Sequence, residues 1–143
     1  MKKHITVAFL LAAPLLLACG RPRFEHGVVS VHGRTVVVEV ARTERARHQG
    51  LMNRKKLEGI DGMFFVFDDE NYYGFWMKNT YLPLDIAFIN SNFKIVDVDS
   101  MAPLDTTLHC SLARFKYALE LPLGSLERFR IKIGDTITYR PSP

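Results

Sequence analysis

A chain of 143 residues with 48% hydrophobic residues and a net charge of +4 has the size and composition of one folded domain, and no repeat or low-complexity segment asks for a second. The basic surplus is mild and no long Lys/Arg run concentrates it, which excludes the electrostatic footprint of a nucleic-acid binder.

In chain order, the first element is a targeting segment. Lys2 and Lys3 give a charged start, and Ile5 to Leu17 form an apolar run too short for a membrane span. Leu16-Leu17-Ala18-Cys19-Gly20 follows, with a small residue directly before a cysteine rather than the A-x-A pattern of an ordinary secretory cleavage site. The expectation is a lipoprotein, with a signal peptide over residues 1–18 and acyl chains such as palmitate on Cys19. The membrane is then a partner, because several chains on one cysteine anchor a protein stably at about 0.8 kcal/mol per buried methylene. Gly20, in place of an aspartate, points to the periplasmic face of an outer membrane. Removal of Lys2 and Lys3 lowers the net charge from +4 to +2. Lipidation of Cys19 leaves Cys110 without an intrachain partner, and the expectation for it is a free, buried thiol.

Arg21 to Arg34 is short of large apolar residues and holds Pro22, Gly27 and Gly33, so residues 19–34 read as lipidated cysteine and tether. The globular domain is expected over 35–140. Within it, period-2 runs predict strands at Thr35–Val40, Gly62–Phe67, Tyr73–Lys78, Leu84–Asn90, Phe93–Asp99, Lys116–Leu121 and, after a Gly134-Asp135 turn, Thr136–Arg140. Asn90-Ser91-Asn92 is the clearest hairpin, since asparagine tolerates positive φ. Thr43 is placed to cap a helix through Glu44, Ala46 and Leu51, and Ser125 a shorter one through Leu126 and Phe129. The sum is an α+β, β-rich single domain, a small rolled sheet or barrel-like form with one or two short helices.

The densest chemistry lies in Phe75-Trp76-Met77-Lys78-Asn79-Thr80 and the following Tyr81-Leu82-Pro83-Leu84-Asp85-Ile86. Strand alternation would put Phe75 and Met77 on one face, with Trp76 and Lys78 on the other. One reading is a pocket whose aromatic wall suits a sugar ring or an aromatic ligand, oriented by Lys78, Asn79 and Asp85. The other is architecture: Phe, Trp and Met in a core, Lys78 and Asp85 as an ion pair, or Asp85 accepting backbone N–H groups across a turn.

Gly50-Leu51-Met52-Asn53-Arg54, Leu57, Gly62-Met63-Phe64-Phe65-Val66-Phe67, the Phe75 to Thr80 run and Pro83-Leu84-Asp85-Ile86 resemble the family called domain of unknown function 192. Tyr117-Ala118-Leu119-Glu120-Leu121, Gly124 and Gly134-Asp135 extend the resemblance over about residues 35–140. It implies a small β-rich protein of bacteria and archaea, often exported or lipid-anchored, without an established reaction. It also implies that Arg54, Trp76, Lys78, Asn79, Asp85 and Glu120 form one polar cluster, either a buried structural network or a binding site for a zwitterionic or polar ligand. The loop Pro103 to Ser111 departs from the family pattern, with His109 in place of a tyrosine.

Three function classes follow. The first is a lipid-anchored binding module for a glycan or another polar envelope ligand, requiring no cofactor. The second is an envelope enzyme with Asp85 or Glu120 as general acid or base; a glycosidase would need a second carboxylate about 5 to 10 Å away. The third is a soft copper site drawn from His48, His109, Cys110 and methionines, although no C-x-x-C or H-x-x-x-H spacing links them and Met52, Met63 and Met77 suit a core.

Overall fold

The first strand lies inside the segment expected to be a tether. β1 (Glu25–Val31) alternates Val29 and Val31 into the core and turns back through His32 and Gly33, whose φ values are 50° and 71°. Two successive positive φ values make the primed two-residue turn that matches the right-handed twist of a hairpin, and Gly33 takes its share without a steric cost. β2 (Arg34–Ala41) pairs antiparallel with β1 over its whole length. The valines are small, but β-branching suits them to a half-buried strand, so the domain starts near residue 25 rather than 35. The structure is a computed structural model describing residues 23–142, so the expected signal peptide and Cys19 lie outside the described residues.

A crossover follows. Thr43 caps α1 (Glu44–Gln49) as expected, its hydroxyl accepting the Ala46 N–H at 3.2 Å, and β3 (Gly62–Asn71) then runs parallel to β2. The remaining elements are β4 (Gly74–Phe75), β5 (Leu84–Ile89), β6 (Ile95–Met101), β7 (His109–Cys110), β8 (Phe115–Pro122), α2 (Ser125–Phe129) and β9 (Thr138–Pro141). Seven of the strands form a mixed sheet in the order β6-β5-β8-β3-β2-β1-β9, and β4 and β7 form a separate ribbon. The sheet rolls until its ends approach, with the Ile95 N–H donating to the Asp135 carbonyl at 2.8 Å and the Ile137 N–H to that of Phe93 at 2.9 Å. β6 and β9 do not pair with each other, so the roll stays an open barrel.

Three local expectations need correction. The Tyr73–Lys78 strand is reduced to Gly74–Phe75, because the chain turns at once: the Met77 N–H donates to Asp105 and the Thr80 N–H to Met77. In the β5–β6 hairpin the positive φ falls on Phe93, at 58°, while the Asn90 side chain accepts the N–H groups of Asn92 and Lys94. Gly124, not Ser125, is the N-cap of α2; the Ser125 hydroxyl instead donates to the Pro122 carbonyl at 2.5 Å.

The two sheet faces bury separate cores. One holds Val29, Val36, Val38, Phe64, Val66, Ala87 and Leu119 under Leu126 and Phe129 of α2 and the segment with Ile131 and Ile137. The other holds Met63, Phe65, Phe67, Leu84, Ile86, Phe88 and Ala118 under Ala46, Leu51, Phe75 and Met77. Among the described residues no helix is long and apolar enough to cross a membrane.

Candidate functional site

Glu120 sits in the middle of β8, opposite Met63 of β3 and Ile86 of β5. Directly opposed residues in a sheet share a face, so the carboxyl points into the aromatic core of Phe65 and Phe67. The chains approach closely there: a Cβ on Gly62 would lie 2.1 Å from the Glu120 carbonyl oxygen. Glu120 is 5% exposed, and among the described residues no hydrogen bond or ion pair reaches its carboxyl. Burial alone pushes its pKa up to about 8, so it keeps its proton at neutral pH.

Among the described residues the other buried polar residues are partnered, while in the half-buried His109 one atom, Nε2, is buried without a hydrogen bond, 3.6 Å from Asp105. Asp85 accepts from the Ser100 hydroxyl at 2.8 Å and the Leu126 N–H at 3.0 Å; Thr80 donates to the Lys78 carbonyl, Ser125 to that of Pro122, and Ser111 accepts the Ala113 N–H. Of the two buried acids among the described residues, Asp85 is partnered and Glu120 is not, and a buried carboxyl without a partner needs a reason.

A cleft of about 340 Å³ opens beside Glu120. Phe65 and Phe67 come from β3, Phe75 and Trp76 from the β4 turn, Leu108 from the run-in to β7, and Glu44, Arg47 and His48 from α1. Trp76 is 38% exposed; the His48 ring meets it edge-on at 6.3 Å and the Lys78 ammonium lies 5.2 Å from its centre. The Arg47 guanidinium lies 5.1 Å from the Phe67 ring centre and donates to the carbonyls of Arg42 and Val66 at 2.5 and 2.9 Å. Phe75 and Met77 are buried while Trp76 and Lys78 face outward, the alternation expected from the sequence, although the strand itself stops at Phe75.

The six residues expected to form one cluster separate into several roles. Glu120 and Trp76 line the cleft, and Lys78 reaches it only through the Trp76 ring. Arg54 pairs with Glu39 at 2.5 Å and covers the Phe24 ring, and Asn79 has a φ of 54° and offers its backbone carbonyl to the Asn53 N–H at 2.8 Å. Asp85 lies on the opposite face of the sheet from Glu120, because its cross-strand partner is Leu121. The Lys78–Asp85 pair is not formed; Asp85 instead ties β5 to β6 and to the start of α2, which is the architectural reading. Asp85→Asn is expected to lower stability by about 1–2 kcal/mol, read as a fall of several degrees in melting temperature, with the Trp76 emission spectrum unchanged. An altered Trp76 spectrum would show that Asp85 belongs to the cleft after all.

Sequence reasoning missed Phe65, Phe67 and Thr80 as wall residues and took His48 only as a metal ligand. The usable signal was the alternation in Gly62 to Phe67, which puts Met63, Phe65 and Phe67 on one face. Cys110, expected to be buried, is an exposed free thiol on the two-residue β7, beside Gly74. His109 pairs with Asp99 at 2.6 Å, and Met63 and Met77 are core residues. Among the described residues no group of three or more His, Cys, Asp or Glu side chains is placed to hold a metal ion.

The model of the family DUF192, described as Uncharacterized ACR, matches residues 27–139. The chain belongs to that family. Two solved structures resemble this DUF192 chain over most of its length. One, from Sinorhizobium meliloti 1021 and provisionally described as a transcription regulator, is 34% identical with a TM-score of 0.73, covering 82% of this chain and 94% of that one. The other, a protein of unknown function from Novosphingobium aromaticivorans DSM 12444, is 28% identical with a TM-score of 0.72, covering 95% and 99%. The UPF0127 protein PH1112 of Pyrococcus horikoshii is 33% identical over 67 residues, which is 47% of this chain. The match spans only about half, 54%, of that relative's length.

Proposed function

We propose that this DUF192 protein is a lipid-anchored envelope module that binds a compact ligand with a ring-shaped or apolar body and one polar group. The observation that carries the reading is the buried, unpartnered Glu120 carboxyl in a cleft walled by Phe65, Phe67, Phe75 and Trp76. Aromatic faces supply non-directional affinity for a sugar ring or an aromatic body, and one hydrogen-bonding group fixes orientation. A neutral carboxylic acid is suited to this, since it offers one donor as well as an acceptor.

The anchor follows from the Ala18-Cys19-Gly20 signal. β1 starts at Glu25, so residues 20–24 alone would separate a lipid on Cys19 from the sheet, roughly 18 Å when fully extended. That is a shorter tether than the sequence suggested, and it would hold the cleft close to the bilayer.

A second reading is an envelope enzyme that uses Glu120 as a general acid. A carboxyl still protonated at neutral pH is the group such chemistry needs. Asp85 drops out of this reading because it faces the other side of the sheet.

The test uses the full chain, expressed in a Gram-negative host and screened against oligosaccharides, peptidoglycan fragments and small aromatic compounds. Trp76 is the sole tryptophan, so its emission reports the cleft directly. One ligand class should quench it and raise the melting temperature, and Trp76→Ala should weaken that stabilisation about tenfold or more in ligand concentration while remaining folded. The Cys19→Ser variant should leave the membrane fraction and retain binding. No response to any class, with Trp76→Ala only less stable, would overturn the binding reading; turnover of a responding compound would favour the enzyme.

A further inference from the structure

We infer that the polar group of the cleft's ligand is a protonated amine, seated on the Glu120 carboxylate and against the surrounding aromatic rings. This deepens the binding reading above and rests on it.

Glu120 is the starting point. Thr80, Asp85, Ser111 and Ser125 are buried and spend their polar atoms on protein partners, whereas the Glu120 carboxyl faces the cleft with both oxygens uncommitted. An uncommitted carboxyl accepts more hydrogen bonds than it can donate, and an ammonium donates up to three. A hydroxyl could take one of these bonds, and a ligand carboxylate would meet either a repelling charge or a single acidic proton.

The walls favour the same charge. Ring faces carry negative quadrupole potential, which attracts cations and repels anions. The protein already places its own cations against two of these rings, Arg47 at Phe67 and Lys78 at Trp76. Phe65 and Phe75 pack edge to face at 5.0 Å.

The charged and titratable groups around the site are few. Helix α1 presents Glu44, Arg47 and His48; β8 presents Glu120; and the segment after β4 presents Lys78 through the Trp76 ring. The Arg47 charge is met by the Arg42 and Val66 carbonyls and by Asp68 at 3.8 Å, while Glu44 is an exposed carboxylate. A cationic ligand therefore joins two carboxyl groups, Glu120 and Glu44, beside the His48 imidazole and two protein cations: Arg47, already solvated by the protein, and Lys78, set against the Trp76 ring.

Proton balance is explicit. The empty site holds neutral Glu120; the ammonium enters with its own charge, one proton leaves Glu120 for bulk solvent, and the carboxylate and ammonium remain as an ion pair. Burial raises the affinity of Glu120 for its proton, so displacing that proton becomes easier as pH rises towards 8. Affinity for an amine should thus increase between pH 6 and pH 8, with the amine itself protonated throughout.

The experiment titrates the full chain with three probes sharing one ring: 2-phenylethylammonium, 2-phenylethanol and phenylacetate. Trp76 emission gives affinities, and calorimetry in two buffers of different ionisation enthalpy counts protons. The expected result at pH 7.5 is at least tenfold tighter binding of the ammonium than of the alcohol, and weaker binding still of the acid. About one proton should be released per ammonium bound. Glu120→Gln should remove that preference and the proton release. Equal binding of ammonium and alcohol, or a preference for phenylacetate, overturns the amine inference and leaves the cleft a binding site. Failure of all three, with no response from the wider screen, overturns both. Should Glu120→Gln not fold, the ammonium-to-alcohol ratio of the native protein and its pH dependence decide alone.

Discussion

Gly62→Ala is expected to destabilise the domain by about 3–5 kcal/mol or to prevent folding at 37 °C. The new Cβ would lie 2.1 Å from the Glu120 carbonyl oxygen and 2.8 Å from Leu121 Cδ2. A rotamer change can relieve the second contact but not the first, because the obstructing atom is main chain held in the sheet. β3 would have to move away from β8, and β3 is the strand at which the parallel β2 and the antiparallel β8 meet. With domain stabilities of only about 5–15 kcal/mol, a loss of this size is decisive. Thermal unfolding followed by far-UV circular dichroism measures it. Gly59→Ala is the control: Gly59 has a φ of 74° and an added methyl would meet nothing within 4 Å, so its cost should stay near the roughly 1 kcal/mol of backbone strain. A Gly62→Ala protein within 1 kcal/mol of the parent would mean that β3 and β8 lie farther apart than these contacts require.

The second large effect is a pH dependence that Glu120→Gln should remove. The folded state holds the Glu120 proton up to a pKa of about 8, against 4.5 for the ordinary group. Between those values the folded protein carries one more proton than the unfolded chain, so stability falls as pH rises through the window. The slope approaches 1.4 kcal/mol per pH unit and the accumulated loss is about 4–5 kcal/mol at pH 8.5. Below pH 4.5 both states are protonated and the contribution disappears. Glutamine has the shape of the protonated acid and does not titrate, so the two proteins should melt together near pH 4.5. By pH 8.5 the variant should melt about 10 °C higher or more. Measuring both across this range cancels the other titrating groups. A melting-temperature difference that stays constant, or that shrinks with rising pH, would contradict a buried, unpartnered carboxyl.

Much of the sheet could be read from the sequence because alternation survives in β2, β3, β5, β6 and β8, where one or both faces are buried. β1 was missed because glycine and serine break up its valines, and because His-Gly is a less familiar turn pair than Asn-Gly. β4 was overextended because alternating burial continues through Met77 after the ladder has ended, the partner there being a single Asp105 carbonyl. The site was half legible. Motif proximity in sequence suggested that Lys78, Asn79 and Asp85 act with Trp76, but a turn and a change of sheet face separate Asp85 from the rest. The register of β5 against β8, which decides that Ile86 and not Asp85 shares a face with Glu120, is a long-range pairing that local patterns do not fix. For the same reason no local signal placed His48 and Thr80 beside Phe65.

The open barrel leaves two free strand edges, and such edges are sites for chain-to-chain pairing. Both are blunted. β6 carries Asp97 and Asp99 along its free side, and these are spent on the Leu112 N–H at 2.8 Å and on His109 at 2.6 Å, so the loop around β7 lies across the edge. β9 is four residues long, ends in Pro141, which has no N–H to offer, and exposes Arg140. The Pro103 to Ser111 loop thus has a use at the sheet margin: His109 fastens a cover over an edge that would otherwise invite aggregation.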